Sequence, residues 1–270
     1  MPVTVEVMDE GVTDSLLDAV FSDFRHLDAV FSTYREESVV SRINRADIRL
    51  EEGGELVQLA ASLCRSYERD TGGAFSAWRG GLFDPSGLVK GWAIDRACSI
   101  LSTAGCRNFY VDGAGDAQTR GMNGGTPWRV GIRHPWQPDR IVRVIVAHDL
   151  AVATSGTYEK GLHIVDPRTG LPAAELVSLT VVGPDIVEAD VYATAAFAMG
   201  RAGLEFIINR PPYEAYAIEP DGIATFTPGF DALCEPRLVK PSVTTVPFRI
   251  PTRDLSAGDR SRPAEVGPSG

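Results

Sequence analysis

The irregular order of helix-like and strand-like segments constrains the fold of this chain more than any other feature of its sequence. Alternating apolar residues predict a strand at Val3–Val7, and apolar residues at helical spacing predict helices at Ser15–Phe31, Leu56–Tyr67 and Trp92–Leu101. Strands then dominate the middle third. Because helices and strands do not alternate strictly, the sequence favours an α+β fold, with mixed or antiparallel sheets flanked by helices, over a doubly wound parallel sheet.

The remaining predicted elements follow the same mixed order. They are strands at Asn108–Asp112, Trp128–Ile132, Ile141–Val146, Leu150–Thr154 and Val177–Val182, a helix at Val187–Met199, and a hairpin of Ala215–Ile218 with Ile223–Phe226. Six of the 18 prolines fall in the last 35 residues, where no periodicity is sustained. We therefore predict one domain over residues 1–235 and a Pro-rich, disordered or surface-draped tail over residues 236–270.

The charge balance excludes several classes of protein. Lys and Arg number 26 against 36 Asp and Glu, a formal net charge of −10, which repels phosphate backbones and argues against a nucleic-acid binder. The first basic residue is Arg25, so no secretory signal is predicted, and no apolar run approaches the ~18 residues that cross a bilayer. We expect a cytoplasmic protein without membrane insertion.

Four cysteines are scattered along the chain. Their spacing matches neither redox CxxC pairs nor zinc sites, so reduced core thiols are expected at Cys64, Cys98, Cys106 and Cys234.

The segment Asp84–Asp95 is typical of a site that binds an anion. It places Gly87, Lys90 and Gly91 in a predicted turn that leads into a helix, and a helix N-terminus and a lysine both suit a phosphate. Lys90 is expected to be solvated in the ligand-free protein. The alternative is an ordinary capped turn with a surface lysine.

The segment Gly113–Asp116 follows a predicted strand and contains two glycines. The third glycine of a dinucleotide fingerprint is missing, and the residues that follow do not begin a helix. A tight turn between strands is therefore expected.

Asp190 and Thr194 lie four residues apart in a predicted helix, so they share one face about one turn apart. Oxygen ligands of this kind suit Mg²⁺, which completes its coordination with phosphate and water. The alternative is that Asp190 caps the helix and Thr194 bonds back to helix carbonyls.

A polar stretch between two apolar strands contains His163 and the sequence Asp-Pro-Arg-Thr-Gly at residues 166–170. A histidine beside Asp166 could serve as a general base near neutral pH, or it could only bridge loop carbonyls. The residues from Asp166 to Gly170 are expected to form a turn.

In this order, these segments resemble the ApbE-like family of flavin transferases, the FAD:protein FMN transferases, in a short form without a leader peptide. The matching segments are Phe31–Tyr34 with Ser38 and Asn44, Thr71–Phe75, Asp84–Asp95, Gly113–Asp116, Trp128–Pro135, Ser155–Gly156, His163–Gly170 and Asp190–Thr194. The resemblance implies the ApbE-like fold and a reaction in which FAD binds with Mg²⁺, FMN is esterified to a Thr or Ser hydroxyl of an acceptor protein, and AMP leaves.

The resemblance also implies a role for single residues. The metal would be held by Asp190, Thr194 and the main-chain carbonyl of Gly87. FAD would contact Tyr34, Ala74, Phe75, Asp84, Lys90 and Ile164, with Tyr34 stacked on the flavin. His163 and Asp190 are the expected catalytic residues.

Two other functions remain open from the sequence. Water could replace the acceptor hydroxyl, which would make the protein an FAD pyrophosphate hydrolase that yields FMN and AMP. The protein could also be a non-catalytic flavin-binding protein, although a pure carrier has no need of a metal at the pyrophosphate.

Overall fold

The computed structural model describes residues 1–157, 164–236 and 244–247. The helices are α1 Asp14–Phe31, α2 Val39–Asn44, α3 Glu55–Asp70, α4 Ser86–Thr103, α5 Ile186–Ala198 and α6 Ala202–Ile208. The strands are β1 Val3–Val7, β2 Trp78–Arg79, β3 Leu82–Phe83, β4 Phe109–Gly113, β5 Asp116–Arg120, β6 Trp128–His134, β7 Gln137–Ala147, β8 Ala151–Gly156, β9 Ser178–Gly183, β10 Glu214–Ile218, β11 Ile223–Phe226 and β12 Thr244–Pro247.

One large sheet organises the molecule. Its strand order is β1-β4-β5-β8-β9-β10-β11-β12, and its pairs are antiparallel except for the parallel pair of β11 with β12. Two hairpins, β2–β3 and β6–β7, stand apart from it. This arrangement confirms the predicted α+β fold with mixed sheets and helices.

Successive side chains of a strand point to opposite faces of the sheet. At the central strands, the side chains on both faces are buried. On β8, Ala151 and Ala153 pack in the larger core with the helices, whereas Val152 packs in a second core with the β6–β7 hairpin. On β10, Ala215 and Ala217 likewise face the helices. We call these the helix side and the hairpin side of the sheet.

Helix α5 is enclosed on nearly all sides. It packs against α4, β8 and β9, and almost all of its residues from Ile186 to Ala198 are buried. Enclosure of this kind explains why the helix is Ala-rich and apolar around most of its circumference.

The start of α4 differs from the sequence prediction. The helix begins at Ser86, not at Trp92, so Gly87, Lys90 and Gly91 lie in its first turns rather than in a turn that precedes it. Glycine disfavours a helix interior, which misled the prediction. Close packing against α5 compensates for this cost.

Some elements were not predicted. Helices α2 and α6 and strand β5 are additional, and β12 lies within the segment predicted as a tail. The boundary at residue 235 and the order of the rest of the tail stay predictions.

The four cysteines are free thiols. Cys64, Cys98 and Cys106 are buried and Cys234 is half-buried, as expected for reduced core residues. In the part of the chain that the structure describes, no helix combines the length and the apolarity needed to cross a membrane.

Candidate functional site

The contact between α4 and α5 brings the predicted metal residues together. A Cβ on Gly91 would lie 2.8 Å from the Ile186 carbonyl oxygen and 3.0 Å from the Asp190 Cβ. A Cβ on Gly87 would lie 3.8 Å from the Thr194 Oγ1. Each helix therefore contributes two positions one turn apart, with Gly91 against Asp190 and Gly87 against Thr194.

Asp190 is buried in this contact, with 2% of its surface exposed. The Gly91 N–H donates to its Oδ2 at 2.9 Å, and the Lys90 Nζ lies 3.5 Å from its Oδ1. The N-cap of α5 is Asp185, whose side chain accepts from the Glu188 N–H at 2.9 Å. The alternative in which Asp190 caps the helix is therefore wrong, and its carboxylate is directed to α4 instead.

Thr194 lies on the same face of α5 as Asp190. Its Oγ1 is 3.4 Å from the Ser155 Oγ of β8. The Thr194 hydroxyl therefore contacts Ser155 on the helix side of the sheet and lies next to Gly87.

Lys90 is held by two buried carboxylates. Its ammonium forms an ion pair with Asp116 Oδ2 in addition to the longer contact with Asp190, and only 27% of its side chain is exposed. The expectation of a solvated lysine is wrong, because the ammonium emerges from a helix that faces both carboxylates rather than from an open turn.

The electrostatics of the group follow from this burial. Burial alone would lower the pKa of Lys90, but the charges of Asp116 and Asp190 outweigh it and raise the pKa above its ordinary value. Burial raises the pKa of Asp190, and the neighbouring Asp116 charge acts in the same direction, while Lys90 and the Gly91 N–H oppose them. The single ammonium therefore compensates one of the two negative charges that the carboxylates would carry.

The donor atoms fit a hard cation. Asp190 Oδ1, Thr194 Oγ1 and the carbonyl of Gly87 are all oxygens, the ligands that Mg²⁺ prefers. In a regular helix the Gly87 carbonyl accepts the Gly91 N–H. Here the Gly91 N–H donates to Asp190 Oδ2, so the Gly87 carbonyl is not the sole acceptor of that N–H. Among the described residues, no cluster of three His, Cys, Asp or Glu side chains could hold a metal. A cation here would depend on few protein ligands, as Mg²⁺ on a phosphate substrate does.

A cleft of about 360 Å³ includes Asp84, which lies two residues before the start of α4. It brings together Tyr34, of which 88% is exposed, and Asp84, whose Oδ1 accepts from the first N–H of α4 at 3.1 Å. The Asn44 side chain bonds to both backbone groups of Phe83 at 2.8 and 2.9 Å, which ties α2 to β3. The cleft is lined by Thr33, Tyr34, Glu36, Ser41, Asn44, Arg45, Leu82 and Asp84.

Ala74 and Phe75 are two further predicted FAD contacts. Both are buried, and the Phe75 N–H is fixed by the Thr71 Oγ1 at 3.1 Å. The ring of Phe75 lies against Gly87, where a Cβ would come within 3.1 Å of its Cε2. Phe75 therefore packs against the Gly87 position of α4.

After β8, the next described residues are Thr157 and then those from Ile164 onward. His163 lies outside the described residues, so its role as a base stays a prediction. Ile164 is half-buried against the larger core, and its carbonyl accepts from the Ala173 N–H at 3.0 Å.

Asp166 begins the predicted turn. The Gly170 N–H donates to its carbonyl at 2.8 Å, which confirms the turn. Its carboxylate accepts two hydrogen bonds from the Arg168 guanidinium at 2.9 Å each, and these lower the pKa of Asp166. A carboxylate of lowered pKa is a weak base, so Asp166 is a poor substitute for His163.

Two residues of the group, Asp116 and Ser155, have no role that is predicted from the sequence. Both were noted only as parts of short motifs. Asp116 follows a two-residue turn, and because Ala117 packs on the hairpin side, Asp116 points to the helix side. The burial of the first four residues of β5 is visible only in the structure, so no signal in the sequence reveals the position of Asp116.

The fold and the site define a class: an α+β domain in which two packed helices bring together side-chain oxygen atoms and a lysine paired with buried carboxylates. The chain belongs to the ApbE family, whose model matches residues 1–84 and 79–217.

Individual relatives agree with this assignment. The chain is similar to the FAD:protein FMN transferase of Escherichia coli strain K12, at 31% identity over 150 residues, which cover 52% of this chain and 43% of the relative. A Vibrio cholerae protein of the same name is 37% identical over 129 residues, covering 44% of this chain and 39% of the relative. The match thus spans less than half of these relatives.

Solved structures share the fold. The apbe protein from Thermotoga maritima has a TM-score of 0.76 at 24% identity, with 87% of this chain and 96% of that chain covered. Flavin Transferase ApbE from Vibrio cholerae has a TM-score of 0.67 at 23% identity, with 80% and 89% covered. These likenesses confirm the predicted ApbE-like fold.

Proposed function

We propose that the chain is a Mg²⁺-dependent FAD:protein FMN transferase that esterifies a Thr or Ser hydroxyl of an acceptor protein with FMN and releases AMP. The observation that carries the proposal is the register of α4 on α5, which places Thr194 against Gly87 and Asp190 against Gly91, with the Lys90 ammonium 3.5 Å from Asp190 Oδ1. The names of the curated relatives support the same reaction.

The reaction breaks one P–O bond of the FAD pyrophosphate and forms one P–O bond to the acceptor oxygen. The hydroxyl proton passes to a base, and AMP leaves with the bridging oxygen. Bound Mg²⁺ supplies charge neutralisation at the pyrophosphate. Asp190 Oδ1, Thr194 Oγ1 and the Gly87 carbonyl would hold the ion, and Lys90 would place a further positive charge near the phosphates.

The cleft residues orient the flavin nucleotide. Tyr34 offers an exposed ring for stacking on the isoalloxazine, and Asp84 lies across the same cleft. Ala74, Phe75 and Ile164 supply further contacts. His163 is the proposed base for the acceptor hydroxyl, with a contribution of about 10²–10⁴-fold expected from such a group. The cytoplasmic location expected from the sequence belongs to the same proposal.

The deciding experiment follows two products at once. The protein is incubated with FAD, Mg²⁺ and a candidate acceptor domain, while AMP release and covalent flavin are both measured. We expect both to rise together and both to disappear in Asp190→Ala, with the fold retained. AMP with free FMN would instead establish a hydrolase, and neither product with tight FAD binding would establish a carrier. Undiminished AMP release by Asp190→Ala would exclude the metal assignment.

A further inference from the structure

One ammonium serves two buried carboxylates at the centre of the site. The Lys90 Nζ pairs closely with Asp116 Oδ2 and lies farther, at 3.5 Å, from Asp190 Oδ1. The side chains of Asp116 and Asp190 are 1% and 3% exposed. The lysine is therefore drawn toward the carboxylate that is not among the proposed metal ligands.

Asp116 is fixed by the sheet and cannot follow the lysine. Its Oδ1 accepts the Thr154 N–H at 2.8 Å, and it begins β5 directly after a tight turn at Ala114 and Gly115, with φ of +55° and +94°. Strand β5 pairs with β4 on one side and β8 on the other. Lys90 has a flexible four-carbon stem, so the ammonium adapts to Asp116 rather than the reverse.

The two oxygens of Asp190 have different surroundings. Oδ2 accepts the Gly91 N–H at 2.9 Å, whereas Oδ1 faces the ammonium. Oδ1 is thus the oxygen through which a metal ion would bind. An ammonium bound fully to Oδ1 would compete with that ion and repel it.

We propose that Asp116 is a positioning residue that holds the Lys90 ammonium off Asp190 Oδ1, so that this oxygen can take a divalent cation while the lysine stays beside it. The inference rests on the proposed function, because it assumes the metal ligands named there. Asp116 acts through Lys90 and touches neither the metal nor the nucleotide.

The test measures Mn²⁺ affinity in the full chain by electron paramagnetic resonance, without flavin nucleotide. Asp116→Asn retains the shape of the side chain and an acceptor for the Thr154 N–H but loses the charge that holds Lys90. We expect the dissociation constant for Mn²⁺ to rise about 10- to 100-fold, as when a group that orients a metal ligand is removed. The matched control is Asp112→Asn, which removes a carboxylate that bonds to Tyr110 and Gly115 on the same hairpin. If both variants weaken Mn²⁺ equally, the effect is one of general charge and the proposal is wrong.

A second comparison separates an action through Lys90 from a direct action on the metal. In a Lys90→Met background, Asp116→Asn is expected to change the Mn²⁺ affinity by no more than about twofold, because nothing is left to position. A loss of about tenfold or more in that background would overturn the proposal. The double variant removes both partners of the ion pair. The comparison in the Lys90→Met background therefore still tests whether Asp116 acts through Lys90, even when Asp116→Asn alone does not fold.

The wild type and Asp190→Ala keep the two proposals apart. If the wild type does not bind Mn²⁺, or if Asp190→Ala binds it equally well, the metal assignment of the proposed function fails. If Asp190→Ala loses Mn²⁺ and Asp116→Asn does not, only the positioning role fails.

Discussion

At the scale of single residues, Lys90 has the most unusual environment. A lysine ammonium is strongly hydrated, and its burial is tolerated here because two carboxylates face it from β5 and α5. Their charges keep its pKa above the ordinary value. Lys90 therefore stabilises the fold in addition to its proposed role at the phosphates.

Replacement of Lys90 should lower stability as well as FAD affinity. Lys90→Ala leaves two buried carboxylates without their counter-charge, so we expect a loss of about 3–5 kcal/mol in the free energy of unfolding, measured with urea. The control is Arg35→Ala, which breaks an ion pair with Asp28 whose side chains are both 56% exposed. That loss should be about 0–1 kcal/mol. Equal losses in the two variants would contradict a structural role for Lys90.

Sequence reasoning reached some of these residues and not others, for a physical reason. Asp190 and Thr194 could be paired because residues four apart share a helix face, a rule that needs no tertiary structure. The partner of Lys90 could not be found in this way, because Asp116 approaches from a strand of the sheet. Such a contact depends on how helix and sheet pack, which local spacing does not encode.

At the scale of secondary structure elements, the α4–α5 contact depends on glycine. Gly91 lies in a helix interior, where glycine costs up to about 1 kcal/mol relative to alanine. Its missing side chain lets α4 approach the Ile186 carbonyl and Asp190. Backbone proximity thus sets the geometry of the proposed metal ligands.

Gly91→Ala should destabilise the protein although alanine favours helices. The added Cβ would lie 2.8 Å from the Ile186 oxygen, so the helices must separate. We expect a net loss of about 1–3 kcal/mol in urea unfolding and weaker Mn²⁺ binding. Ser102→Ala, at an exposed position of α4, should change stability by less than about 0.5 kcal/mol. A gain of stability in Gly91→Ala would show that the contact is loose.

The β6–β7 hairpin should make stability depend on pH. His134 is buried at the end of β6, and its Nδ1 accepts the Trp136 N–H at 3.2 Å. Burial lowers the pKa of His134 from 6.5, and the Arg140 charge lowers it further. A folded-state pKa below the unfolded value means that the contribution of His134 is present above about pH 6.5 and is lost as the pH falls.

The measurement is urea unfolding of the wild type and His134→Gln at pH 7.5 and at pH 5.5. We expect the wild type to lose more stability than the variant on acidification, by up to about 1.5 kcal/mol, the value of one hydrogen bond. A parallel decline in the two proteins would exclude His134 as the titrating group.

The accuracy of the element predictions followed the polarity of each segment. Ile223–Phe226 was placed with its observed bounds because apolar residues flank a clear turn sequence. Strand β5 was missed because Asp116, Gln118 and Thr119 are polar yet buried, which hides the apolar pattern of a strand.

At the scale of the whole molecule, β1 and β12 are the edge strands of the large sheet. Strand β12 adds to β11 in parallel, in register from Ile223 with Thr244 to Phe226 with Pro247. It covers backbone groups of β11 that would otherwise form a free edge. Free edges are sites of association between chains.

Removal of β12 should cause concentration-dependent association. A chain that ends after Pro236 retains the described core up to Phe230 but exposes the edge of β11, so we expect a mass that rises with concentration in light scattering. A chain that ends after Leu255 retains β12 and should behave like the full-length protein. Identical masses for both truncations would mean that β12 does not protect the edge.

The α4–α5 contact also has a consequence for the order of folding. The hydrogen bond from Gly91 to Asp190 spans 99 residues, and the strands from β4 to β9 lie between its ends. Closing so long a loop is unfavourable until those strands have paired, so the ligand group assembles late. If the proposed metal site is right, a nascent chain cannot bind the metal before strands β4 to β9 have paired, and metal uptake would report that this part of the sheet has formed.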